Sequence, residues 1–321
     1  MVGAALAHGL LRMTRMSRFA LALVLFAACG GDDDGGGGGD DGGNADGAPE
    51  TDGGGGDLAP PPADGQFVAF EMGWGETGTA YTQVFGSVLD PRPMFHRLDM
   101  EEGACRYYVY EPVDCSPCAG ICDSDGECIA FPTSLSAGTV TVSAPAADVV
   151  MPYHEYGYYA DTPPPEDLFD AGDPVSLDAA GGEVAAFALD TEGVRPISID
   201  LVQGGEEGDD TLELVDGADL ELSWDDPQPG SRVSLQLKSG NGAHGTPVFA
   251  YIECEADDTG SLVVPRAMIE AFPEKPYQNI CAGTDCPPSL LTRFHRARTE
   301  VGERTMELLV GYQRQFIVVH E

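Results

Sequence analysis

Apolar residues recur at every second position in one short segment after another of this chain, and a period of two is what a half-buried strand requires. Thr139-Val-Thr-Val-Ser143 alternates, as does Leu220-Glu-Leu-Ser-Trp224, which sends Leu220, Leu222 and Trp224 to one face and the acids to the other. Val233, Leu235 and Leu237 carry the pattern on after the turn signal Pro227-Gln-Pro-Gly230. Val248, Ala250, Ile252 and Cys254 share a face, and so do Cys105, Tyr107 and Val109. Further strands are expected near 67–72, 80–88, 183–189, 197–202, 291–299, 305–310 and 315–319, separated by Gly- and Asp-rich turn clusters. Only 265–272 has helical spacing, with Met268, Ile269 and Phe272 on one side and Pro265 at the start. The expected fold class is all-β: an antiparallel β-sandwich with an inserted small disulfide-rich module.

The N-terminal part differs in kind. Arg12, Arg15 and Arg18 precede an apolar run over 19–28, the charged and apolar regions of a secretory signal, and Met13 is the favoured start. That run falls well short of the roughly 20 residues a membrane span needs. Phe26-Ala27-Ala28-Cys29 resembles the lipobox read by the lipoprotein signal peptidase. By that resemblance residues 1–28 are a lipoprotein signal peptide and Cys29 is lipidated, which makes the membrane a partner through an anchor and not through a span. Residues 29–65 are almost wholly Gly, Asp, Ala and Pro and cannot bury enough apolar area to offset their chain entropy, so they are expected to form a disordered tether. Gly30, together with the acidic run Asp32-Asp33-Asp34 that resembles surface-export signals, points to the outer membrane, with the cell surface first and the periplasmic face as the alternative.

Residues 66–321 suit one sandwich domain or two subdomains, 66–135 and 136–321. A formal net charge of −38 and a pI of about 4.1 exclude phosphate backbones as partners, so no nucleic acid is expected. Lipidation of Cys29 leaves eight of the nine cysteines, an even number for an oxidising compartment, and four disulfides are the natural reading. Zinc at Cys115-Ser-Pro-Cys118 competes with it. Cys105 and Cys254 each sit on an inward strand face and are expected to bridge; Cys281 and Cys286 are expected to close a local loop.

The module over 105–128 contains Cys115-x2-Cys118-x3-Cys122-x5-Cys128 and resembles half of an epidermal-growth-factor-like module. That resemblance implies the pairs Cys115–Cys122 and Cys118–Cys128, one of three connectivities open to four cysteines. The order of Asp-Gly-Glu-Cys128, Leu135-Ser-Ala-Gly-Thr-Val-Thr-Val142, Gly181-Gly-Glu-Val-Ala-Ala-Phe187, Leu220-Glu-Leu-Ser-Trp224 and Ile252-Glu-Cys254 looks like the surface lipoproteins abundant in myxobacterial-type bacteria. It covers most of 105–272 and implies location and fold, with no catalytic residue to carry over.

Asp123, Asp125 and Glu127 alternate before a Gly as a calcium loop begins, yet Cys128 closes the segment and Asp125-Gly126 is a tight-turn pair, so a turn is expected there. Tyr153, His154, Tyr156, Tyr158 and Tyr159 form the most aromatic segment; they are candidate ligand-binding residues through ring stacking, with packing at a sandwich edge as the competing role. Arg293, Arg296, Arg298, Arg304 and Arg314 are expected to pair with neighbouring strand carboxylates, as exposed pairs worth about 0–1 kcal/mol each. No Gly-x-Ser-x-Gly, His-Glu-x-x-His or phosphate-loop motif occurs, and no cofactor and no catalytic residue are expected. The functional expectation is a non-enzymatic, lipid-anchored sandwich acting in envelope organisation, adhesion or capture of an extracellular ligand. A secreted-type hydrolase with its site on the loops and a calcium-dependent binding module remain the alternatives.

Overall fold

The computed structural model describes residues 59–74, 81–90, 95–111, 113–118, 121–204, 209–239, 248–274 and 289–320. Cys29, the signal segment, the tether as far as residue 58, and Cys281 with Cys286 lie outside the described residues.

A 13-stranded sheet dominates the fold. With strands numbered in chain order, it runs β10 (Tyr153–His154), β11 (Gly157–Tyr159), β2 (Tyr81–Asp90), β1 (Gly65–Trp74), β21 (Arg304–His320), β20 (Ser289–Val301), β17 (Arg232–Ser239), β18 (Ala250–Asp257), β4 (Cys105–Val109) and β3 (Arg97–Glu102). Off this path, β7 (Thr133–Ser134) pairs with β2, and β14 (Val202–Gly204) pairs with β15 (Asp209–Leu214), which joins β21. A four-stranded sheet of β13 (Phe187–Glu192), β12 (Pro174–Ala179), β8 (Val140–Ser143) and β9 (Asp148–Met151) faces one half of it. The ribbon of β16 (Leu220–Ser223) and β19 (Ser261–Val264), with the helix α1 (Arg266–Ala271), faces the other half. A ribbon of β5 (Ile121–Cys122) and β6 (Cys128–Ile129) carries the cysteine module.

Alternation decides which side chains meet. On the inner face, Phe67, Ala69, Leu308 and Val310 pack against Val140, Val142, Val175 and Leu177 of the four-stranded sheet. Further along the same sheet, Val233, Leu235, Ile252 and Phe316 pack against Leu222, Leu262, Met268 and Ile269. Each fully buried aliphatic or aromatic side chain contributes about 1.5–3 kcal/mol. The helix starts after Pro265, where the missing amide hydrogen costs nothing, and buries Met268 and Ile269. Three disulfides join Cys105 to Cys254, Cys115 to Cys122 and Cys118 to Cys128. The first directly staples register partners on β4 and β18.

Several expectations change in detail. The large sheet is mixed: β1 and β15 both run parallel to β21. β1 and β21 come from opposite ends of the described chain, so no tight turn dictates their sense, and alternation reads the same in either direction. The expected strands at 305–310 and 315–319 form the single 17-residue β21. Gly311 at its middle is required, because a Cβ there would lie 2.3 Å from the Arg293 carbonyl of the neighbouring strand. Residues 197–201 form no strand although Ile197 and Ile199 are buried. Arginine side chains engage the backbone here: Arg293 donates to the oxygen of the preceding Pro196 at 3.0 Å and Arg314 to that of Ile199 at 3.2 Å.

Both cores draw on residues from each side of position 135, so a split into 66–135 and 136–321 does not describe the packing. The last residues assigned to the tether are also ordered on the domain: Ala63 is fully buried, and the Asp64 carbonyl accepts the Leu89 amide at 3.1 Å.

Candidate functional site

The hairpin of β10 and β11 closes one edge of the large sheet, and its alternation separates the aromatic segment into two populations. Tyr158 points inward, 1% exposed, with its ring 5.5 Å from that of Phe67, and its hydroxyl accepts the Ala137 amide hydrogen. Tyr158 is therefore core, a correction to its place among the ligand-binding candidates. Tyr153, its register partner, donates its hydroxyl to the Ser134 carbonyl at 2.5 Å and remains 36% exposed. His154 and Tyr159 stack on each other, centroids 3.8 Å apart and planes 9° apart. Tyr156 at the hairpin tip is 69% exposed.

The hairpin sits this close to the sheet because of Gly157. Its φ is +135°, and a Cβ there would come within 2.6 Å of the Gly86 carbonyl oxygen. On the same side of β2, β11 pairs at Phe85 and Gly86 while β7 pairs at Leu89 and Asp90. Ser134 of β7 holds Tyr153, and Phe131, three residues earlier, is 66% exposed. The edge thus presents Tyr156, Phe131, part of Tyr153 and the His154–Tyr159 stack on a frame held by the core and the adjoining cysteine module. Phe131 is not among the residues singled out from the sequence. It follows the cysteine run without alternation, and only the β7–β2 pairing brings it to this edge.

The carboxylate triplet serves a turn. Asp123 Oδ1 accepts the amides of Asp125 at 3.0 Å and Glu127 at 2.9 Å, which uses the oxygen a calcium ion would need. Among the described residues no group of three or more His, Cys, Asp or Glu side chains is placed to hold a metal ion.

All five C-terminal arginines pair with carboxylates, at Asp258, Glu255, Glu307, Asp90 and Asp210 in turn. Only Arg304 is the exposed pair expected of all of them. Arg293 and Arg314 are buried on the adjacent strands β20 and β21, where Arg293 with Asp258, at 2.8 Å, and Arg314 with Asp210, at 2.7 Å, form a polar seam in the apolar interior. Burial pushes the Asp258 carboxyl up, but hydrogen bonds from the Gln228 amide, the Trp224 indole and Ser231, together with the Arg293 guanidinium, outweigh it and hold the group below the usual aspartate range. Arg293 Nη2 also donates to the carbonyl of Asp226 at 3.2 Å, and Asp226 is the non-glycine residue at positive φ, +54°.

On the outer face of the same sheet Glu255 receives Arg232 at 2.5 Å and Arg296 at 2.6 and 2.9 Å, while Glu307 receives Arg298 at 2.9 Å and Gln66 at 2.6 Å. Glu253, beside them, accepts from Gln236 at 3.0 Å. Burial drives Lys238 down to about 8 against the opposing charge of Glu253. The polar positions of β17, β18 and β20 alternate with the apolar ones in the sequence, a signal that marks an outward face without revealing that it is half-buried. No family model, curated protein or solved structure matches the chain.

Proposed function

We propose that the protein is a lipid-anchored, extracytoplasmic binding module, and that the aromatic edge at Tyr153–Tyr159 and Phe131 is the surface by which it captures a neutral carbohydrate of the envelope or its surroundings. The observation that carries this reading is the pair of large, exposed rings, Tyr156 and Phe131, on a hairpin and loop anchored to the fold through the buried Tyr158 and the Tyr153–Ser134 hydrogen bond. Aromatic faces take up the C–H faces of sugars, and the carboxylates of Glu155 and Asp161 nearby in the chain are acceptors suited to sugar hydroxyls. A net charge of −38 repels anionic polymers, which leaves neutral ones within reach of the aromatic edge. Export is supported by the signal-like N-terminus and by disulfides that persist in oxidising surroundings. The tether and anchor would hold the module at a distance from a bilayer while leaving it free to turn.

Two measurements test this. Labelling of intact cells with a membrane-impermeant reagent should reach the protein; labelling only after lysis would count against surface display. Retention of the purified mature chain on insoluble envelope polysaccharide should be lost in Tyr156→Ala with Phe131→Ala, with Tm unchanged because both rings are exposed. Equal retention of variant and parent would remove the aromatic edge from the account.

A further inference from the structure

Residues 59–64 form a strap across the outer face of the large sheet. Arg106 Nη1 on β4 donates to the Ala59 carbonyl at 3.3 Å, and Arg298 Nη2 on β20 donates to the Pro61 carbonyl at 2.5 Å. The Asp64 carboxylate fixes the far end by accepting the Thr305 amide at 2.8 Å. In the sheet order β4 and β20 are separated by β17 and β18, so the strap crosses the strands and adds no strand of its own. Beneath it, Phe70, Phe294 and Leu309 form an apolar floor at one end and Gln236, Glu253 and Arg296 a polar one at the other. A cavity of about 60 Å³ remains between strap and floor, so the segment nearly fills the groove.

The chemistry of strap and groove is complementary. Pro60, Pro61 and Pro62 carry carbonyl acceptors and no amide hydrogens. The carboxylates of the groove are already engaged by its own cations and amides, Glu255 by Arg232 and Arg296, Glu307 by Arg298 and Gln66. The strap itself is met by the guanidinium donors of Arg106 and Arg298 and by the apolar surface of Phe70, Phe294 and Leu309. A proline run brings no amide hydrogens that must be satisfied on this face and arrives already extended, at low entropic cost.

We propose that this groove is a docking site for extended proline-rich segments, and that residues 59–62 are its resident occupant. In that role the strap clips the tether to the domain, and its withdrawal opens the groove to a proline-rich segment of a partner. The aromatic edge plays no part in this site.

The test uses the full mature chain and a fluorescent peptide with the sequence of residues 57–64. Fluorescence anisotropy should show saturable binding to Pro60→Gly/Pro61→Gly/Pro62→Gly, in which the strap is loosened, and binding at least about tenfold weaker to the parent, whose groove is filled. Arg298→Gln in the loosened chain should weaken binding by about tenfold, the equivalent of one charge-assisted hydrogen bond, and a peptide with its three prolines replaced by Ala should bind at least about tenfold more weakly. Equal binding to parent and loosened chain, or equal binding of the two peptides, overturns the proposal. A measurement free of any variant stands beside these: saturating peptide should speed amide exchange at Ala63, which is fully buried while the strap is seated. Unchanged exchange at Ala63 under saturating peptide would overturn it as well.

Discussion

At the scale of single residues the buried arginine–aspartate pairs are where removing one partner costs most. Asp258 is buried and receives four partners, Trp224, Gln228, Ser231 and Arg293, so removing its charge leaves a buried guanidinium uncompensated. Asp258→Asn is expected to cost about 3–5 kcal/mol, read by urea unfolding at pH 7. Because the folded carboxyl titrates below the unfolded value of 3.8, its contribution is present above that value and is lost as pH falls through the lowered one. The parent should therefore lose Tm on acidification through that window more steeply than Asp258→Asn does. Lys238 has a dependence of the same sign in an alkaline window. Its ammonium is driven from 10.5 to about 8 by burial, so between those values the unfolded chain holds a proton that the folded chain lacks, and stability rises with pH. Lys238→Met should abolish that rise and raise Tm at pH 7, as differential scanning calorimetry across the interval would show. A flat profile in the parent would contradict the burial of this group.

Elements are held by backbone contacts that leave little room for adjustment. Gly157 lets the aromatic hairpin lie against β2, and Gly157→Ala combines an unfavourable φ with a contact on backbone oxygen. It is expected to destabilise by more than about 1 kcal/mol and to detach the hairpin locally, seen as faster amide exchange at Tyr158 and Tyr159 with the rest of the sheet protected. Strands, helix and turns were legible in the sequence wherever one face is wet and the other dry, as at Leu220–Ser223 and Arg232–Ser239. Legibility failed in two physical circumstances. Residues 197–201 have strand-like alternation, but the Ile199 carbonyl accepts Arg314 of β21 and that of the preceding Pro196 accepts Arg293 of β20, where a ladder would need neighbouring-strand amides. The interruption anticipated between 310 and 315 vanishes because Gly311 permits the close approach that keeps β21 continuous.

The whole molecule is one large sheet serving two cores, and the bridge from Cys105 to Cys254 ties β4 to β18 across a sequence separation of 149 residues. A closure of that length is worth about 4–5 kcal/mol in the chain-entropy picture, and more than the short loops of the cysteine module. Cys105→Ala with Cys254→Ala should accordingly lower stability in urea by about twice the effect of Cys115→Ala with Cys122→Ala, whose separation is 7 residues. Equal effects would mean that the long bridge constrains the unfolded chain no more than the local one. Of the aromatic edge, the tyrosine segment was visible in the sequence as a cluster. The burial of Tyr158 and the arrival of Phe131 were not, because both depend on which strands flank β2.

The all-β class, the acidity, the positions of the turns and the inward faces of Cys105 and Cys254 follow from the order of residues alone, since each reflects a period or a charge that local chemistry imposes. The parallel pairings of β21, the seam of buried arginines and the seating of residues 59–64 were decided only by tertiary structure. Each of these joins groups far apart in the chain, and no local pattern specifies which distant acceptor a guanidinium will find or in which sense two remote strands will meet.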